Sequence, residues 1–143
     1  MNLQNAYIIN IKKVSVRNKS FLMFSGYIFL SNSFRKAFVA FGGNVVSSVG
    51  KPKQTILAAL RELESDSLEI SKLSNFYSTP AFPLGSGPDF VNAVAYIQTD
   101  KNAEELLKEF HKIESIFDRT RLFRWAPRPI DIDLLAFEDQ IYP

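Results

Sequence analysis

Cysteine is absent from this 143-residue chain. Disulfides, thiolate zinc sites and cysteine nucleophiles are thereby excluded, and the lack leans toward a reducing compartment, so a cytoplasmic protein is expected. Glycine is scarce, with six in all. None stands where a phosphate-cradling loop needs it: Gly50-Lys51 runs into Pro52, and Gly85 and Gly87 lack the third glycine of a dinucleotide fingerprint. A nucleotide would have to be held by side chains and metal. Charge of one sign is also missing, since 17 basic residues face 15 acidic ones. A net charge of +2 argues for neither nucleic acid nor membrane. No apolar run is long enough to cross a bilayer, which takes about 20 residues.

What is present is ordinary for a globular protein: 46% hydrophobic and 22% charged residues, at a length that fits one domain. The start reads differently from the rest. Phe21 to Leu30 is an apolar run, FLMFSGYIFL, flanked by Arg17, Lys19, Arg35 and Lys36, with no small-x-small cleavage site after it. Residues 1–35 therefore read as an upstream extension of uncertain order, with Met23 as an internal start candidate, and residues 36–143 as the domain.

From Lys36 the patterns are clean. Ala37 to Phe41 reads as a strand stopped at Gly42-Gly43-Asn44. Pro52 suits the first turn of a helix whose Ile56, Leu57, Leu60 and Leu63 recur at helical spacing. Leu68 to Tyr77 reads as one strand, Thr79 to Pro88 as a Pro/Gly loop, and Phe90 to Ile97 as a strand. Asn102 or Lys101 opens a second helix with the stripe Leu106, Leu107, Phe110, Ile113 and Phe117. A basic loop follows, then a last strand from Ile130 to Phe137. The order βαββαβ predicts an α+β, ferredoxin-like fold: an antiparallel sheet with both helices on one face.

In the last strand, Pro129-Ile130-Asp131-Ile132-Asp133-Leu134, alternate side chains share a face. Asp131 and Asp133 fall together, with alpha carbons roughly 7 Å apart. Two such carboxylates can converge on a hard cation, and magnesium takes one or two carboxylates with water and phosphate. By themselves they fit a solvated acidic face better. Just before them stand Arg119, Arg121, Arg124 and Arg128, with Trp125 among them. Arginine grips phosphate oxygens with a planar fork, and acids beside several arginines are the equipment of phosphoryl transfer. The bland alternative pairs these arginines with the aspartates and nothing more.

These residues carry a resemblance. Arg124 to Asp133, RWAPRPIDID, resembles the RWGPRxxDxD signature of hydroxymethyldihydropterin pyrophosphokinases, with Ala126 replacing the usual glycine. Phe41-Gly42-Gly43-Asn44 resembles that family's first-strand motif, and Tyr77 to Pro80 and Asp89 to Ala93 resemble its pterin-side motifs. The resemblance implies transfer of pyrophosphate from ATP to 6-hydroxymethyl-7,8-dihydropterin, in folate biosynthesis, by a monomer. It implies that Asp131 and Asp133 bind two magnesium ions and that Arg119 and Arg128 are catalytic and hold the triphosphate, with Arg121 on a mobile loop. Trp125, Phe90, Asn92, Thr79, Pro80 and Leu84 would serve the pterin, and His111 and Glu114 would lie near the adenosine. The family continues past the last strand with a Pro-His motif and a second pterin-stacking aromatic. The chain is therefore expected to be a fragment or a truncated, impaired relative. An RNA-binding module is the alternative from another class; the acid pair and the lack of a Lys/Arg-Gly-Phe pattern speak against it.

Overall fold

The computed structural model describes residues 12–16, 19–24, 27–31, 34–119 and 126–138. Arg121, Arg124 and Trp125 lie outside the described residues. Three strands come first: β1 (Lys12–Val16), β2 (Lys19–Phe24) and β3 (Tyr27–Ser31). They form an antiparallel sheet in the order β1-β2-β3, with Phe21 opposite both Val14 and Leu30. The apolar run of the extension thus falls on two paired strands. Among the described residues, no helix is long and apolar enough to cross a membrane.

The second sheet is built from β4 (Arg35–Gly43), β5 (Leu68–Leu73), β6 (Tyr77–Thr79), β7 (Phe90–Thr99) and β8 (Asp131–Phe137). Helix α1 (Pro52–Leu63) follows β4, and α2 (Ala103–Ile116) follows β7. The strand order is β5-β7-β4-β8, antiparallel throughout, and β6 also pairs with β7. This is the expected ferredoxin-like βαββαβ arrangement.

One strand differs from its expectation. The segment from Leu68 to Tyr77 is not continuous: β5 stops at Leu73 and β6 starts at Tyr77. Between them, Ser74 donates its N–H to the Val94 carbonyl, but its hydroxyl, not its carbonyl, accepts from the Val94 N–H. A side chain that takes over a ladder bond ends regular pairing there.

The helices start where local chemistry dictates. Pro52 occupies the first turn of α1, and the Gln54 side chain accepts from the Lys51 N–H at 2.8 Å. At α2 a capping box closes: Asn102 Oδ1 accepts from the Glu105 N–H at 2.9 Å, and Glu105 Oε2 accepts from the Asn102 N–H at 2.7 Å. Ile56, Ala59, Leu60 and Leu63 of α1 join Leu106, Phe110 and Ile113 of α2 in one core with Val39, Phe41, Ala95, Ile97 and Ile132 of the sheet. Both helices therefore cover one sheet face and leave the other open. Leu107 does not belong to the stripe as expected; it is 41% exposed, because Leu106, Phe110, Ile113 and Phe117 already fill the buried face.

That difference is measurable. Phe110→Ala should cost about 3–5 kcal/mol, the range for emptying a buried aromatic site. Leu107→Ala should cost less than about 1 kcal/mol. Urea unfolding of the two variants checks the assignment; equal losses would contradict it.

Candidate active site

The open face is set by strand register. Gly42 of β4 lies between Asn92 on β7 and Asp131 on β8, and Ala40 lies between Val94 and Asp133. β4 thus carries small residues where its neighbours carry Asn92, Val94, Asp131 and Asp133, and the outcome is a hollow. A cavity of about 300 Å³ is lined by Ala40, Gly42, Phe90, Asn92, Arg128, Asp131 and Asp133, among others. A Cβ on Gly42 would sit 2.9 Å from Asn92 Oδ1, so the missing side chain leaves that amide its place. Gly43 is constrained from the other side, where a Cβ would run into the Pro129 carbonyl oxygen.

Charged groups converge on Asp131. Arg119 Nη2 lies 2.7 Å from Oδ1, and Arg128 Nε lies 2.7 Å from Oδ2. The second pair is ionic without being an aligned hydrogen bond: Arg128 Nε is buried and its N–H has no acceptor in line among the described residues. The Arg128 guanidinium also lies over the Phe90 ring, 5.5 Å from its centroid. On the far side of Arg119 stands Glu114, 3% exposed. Its Oε1 accepts from Arg119 Nη1 and from the Ile132 N–H, the latter at 2.8 Å. Its Oε2 faces His111 Nδ1 at 3.3 Å.

Asp133 has no ion pair among the described residues. Its carboxyl is held above the ordinary value of 3.8, first by partial burial and then by the Asp131 and Glu114 carboxylates, against which Arg119 and Arg128 pull down. The pair is short of positive charge at this point. Among the described residues no three His, Cys, Asp or Glu side chains gather as a metal site. Two carboxylates suffice for magnesium, however, and a raised carboxyl beside a second acid is the donor set a hard cation fits. Each Asp131 oxygen already meets one arginine nitrogen and keeps a further lone pair for such a cation.

The expected site residues divide into groups. Phe90, Asn92, Arg128, Asp131 and Asp133 share the cavity. Thr79 joins them at the edge, where its hydroxyl accepts from Asn92 Nδ2 at 2.8 Å. His111, Glu114, Ser115 and Arg119 line a second cavity of about 320 Å³. Arg119 connects the two by its pair with Asp131. Pro80 and Leu84 stand apart, exposed on the loop before β7, with Leu84 89% exposed. Sequence reasoning passed over three participants. Ala40 and Gly42 form the cavity floor, and their signal was the alternation of small with large residues along β4. Asn44, quoted only as part of a motif, is 5% exposed and hydrogen-bonds two separate loops.

A model of the 7,8-dihydro-6-hydroxymethylpterin-pyrophosphokinase (HPPK) family matches residues 38–143. The chain is 37% identical over 95 residues to a 2-amino-4-hydroxy-6-hydroxymethyldihydropteridine pyrophosphokinase of Aquifex aeolicus, covering 66% of this chain and 59% of that one. A protein of the same name from Haemophilus influenzae is 33% identical over 106 residues, 73% of this chain and 64% of its own length. Another, from Synechocystis, is 31% identical over 105 residues, 73% of this chain and 51% of its own. The chain thus spans between half and two-thirds of the length of these relatives. With the family model matching most of its length, and with Phe90, Asn92, Asp131 and Asp133 around one cavity, the chain belongs to the 7,8-dihydro-6-hydroxymethylpterin-pyrophosphokinase family.

Proposed function

We propose that the chain transfers pyrophosphate from ATP to 6-hydroxymethyl-7,8-dihydropterin, giving the pterin diphosphate and AMP as a step of folate biosynthesis in the cytoplasm. The observation that carries this reading is the sharing of one cavity by an aromatic, an amide, an arginine and two carboxylates. A flat heterocycle needs the first two, and a polyphosphate needs the rest.

Phe90 offers its ring to the pterin, and Asn92 turns an amide toward the pterin's amide edge while Thr79 holds its nitrogen. Arg128 is held by Asp131 through Nε, and the rest of its guanidinium fork is left to meet a phosphate oxygen. Arg119 is fixed by Glu114 and Asp131 at the junction of the two cavities, from which it reaches the triphosphate. His111 and Ser115 then border the space for the adenosine. The pterin hydroxymethyl oxygen attacks the β-phosphorus, the bond to the α,β-bridging oxygen breaks, and AMP leaves with that electron pair as the hydroxyl gives up its proton to water. Positioning and charge neutralisation supply most of such catalysis. Two magnesium ions held by Asp131 and Asp133 would neutralise the polyphosphate and stabilise entering and leaving oxygens.

Three outcomes test the assignment. Asp131→Ala or Asp133→Ala should lower AMP release by about 10²-fold or more with the far-ultraviolet spectrum unchanged. Near-wild-type rates in either variant contradict the magnesium role. Arg128→Ala should weaken binding of a non-hydrolysable ATP analogue by about 1.5–3 kcal/mol, and lysine should restore only part of it, because it lacks the fork. Calorimetric affinities unchanged in both variants would leave Arg128 a structural cation.

The third outcome concerns charge in metal-free buffer. A carboxyl raised above its unfolded value costs stability once it ionises in the fold. At a pH well below the ordinary value of 3.8 both states are protonated and the cost is absent; it grows as pH rises through the raised value. Asp133→Asn should therefore melt above wild type at neutral pH and level with it at acid pH. A constant difference across that range would contradict the assigned cause.

A further inference from the structure

The net charge of +2 conceals an uneven placement. No aspartate or glutamate precedes Glu62, so all 15 acidic residues lie from there onward. Lys12, Lys13, Arg17 and Lys19, by contrast, stand on or between β1 and β2. Pairing in register arranges β1, β2 and β3 into rows. Lys12, Met23 and Ile28 share one row, Val14, Phe21 and Leu30 share another, and Val16 and Lys19 share a third. These are alternate rows, so they belong to one face of the sheet. Apart from a lysine at either end, every position on that face is apolar, and none is acidic. The other face is mixed; one of its rows is Ser15, Ser20 and Ser31.

Three short strands make too small a sheet to hold a core of their own, and among the described residues β1, β2 and β3 pair only with one another. The apolar face therefore needs cover from outside the sheet. We propose that this cover is a membrane surface: the sheet lays its apolar rows against a bilayer rich in anionic phospholipid, and its basic residues meet the headgroups. Charge decides between the occupants. An apolar protein partner does not require that acids be excluded ahead of Glu62, and a nucleic acid would use the lysines but leave the aliphatic rows uncovered. An anionic bilayer uses both, because apolar side chains enter the acyl boundary while cations are drawn to the negative surface potential. Lysine suits the end rows, since its stem can follow an apolar surface while its ammonium stays in water. The strands hold five, six and five residues, against about 9–11 for a strand that crosses a bilayer. The sheet thus lies on the membrane and does not span it.

Co-sedimentation of the full chain with vesicles is the test. At low salt the wild type should pellet with vesicles of equal parts phosphatidylcholine and phosphatidylglycerol and stay in solution with phosphatidylcholine alone. Raising the salt should release most of it. Lys12→Gln and Lys19→Gln should each lower the partition coefficient about fivefold, the worth of one cation near an anionic surface. Phe21→Ser should lower it about tenfold or more through lost apolar burial. The lysine variants keep every apolar position, so they serve if Phe21→Ser does not fold. Equal binding to both kinds of vesicle, or binding to neither, overturns the proposal. Dimerisation of the wild type that Phe21→Ser abolishes, without vesicle binding, overturns it in favour of a second copy on that face. Binding to duplex DNA as tight as to the anionic vesicles, and unaffected by Phe21→Ser, overturns it in favour of a polyanion site.

Discussion

A carboxylate buried between helix and sheet has to be paired, and around Glu114 that requirement organises the site. An unpaired charge in such a place costs several kcal/mol, so the surroundings are shaped to supply donors. Two come from opposite directions: the Arg119 guanidinium and the Ile132 N–H, which lies between the two acids of β8. Helix α2 is thereby tied to the strand that carries Asp131 and Asp133. Arg119, pinned at one end, extends its other nitrogen to Asp131, and Arg128 closes on the second oxygen from the opposite side. The chain of polar contacts runs from His111 on the helix to the Phe90 ring on β7. It holds both guanidinium groups beside Asp131.

The rest of the geometry follows from strand periodicity. Inward-facing Val39 and Phe41 anchor β4 in the core, so the alternate positions on the other face, Ala40 and Gly42, open a hollow because they are small. The same alternation on β8 sends Ile130 and Ile132 into the core and the two aspartates outward. Packing and chemistry thus use the two faces of one sheet without competing for positions. The cost is concentrated at Asp133, whose ionised carboxyl is disfavoured by partial burial and then by the Asp131 and Glu114 carboxylates. Functional sites commonly retain such strain because relieving it removes the activity.

Much of this was legible in the sequence because the signals were local. The alternation of Ile and Asp from Ile130 to Asp133 gave both the strand and its two faces, and Pro52 and Asn102 marked helix starts that the caps bear out. What was not legible depended on distant partners. The break after Leu73 is made by the Ser74 hydroxyl and Val94, a residue on another strand. Leu107 matched the helical period but sat at the edge of a stripe that its neighbours had already filled. The inward turn of Glu114 could not be read from its spacing to His111, because it is set by Ile132 on β8. Asn44 belonged to a recognisable turn, yet its bonds reach residues Pro88 and Arg128, far along the chain.

In the proposed reaction the acids and arginines on the open sheet face direct attack to the β-phosphorus of ATP. The most direct measurement incubates the full chain with magnesium, 6-hydroxymethyl-7,8-dihydropterin and ATP labelled at the β-phosphate, and follows the label. The account predicts that label passes to the pterin in step with AMP release. Formation of ADP with the label retained on the nucleotide would contradict it.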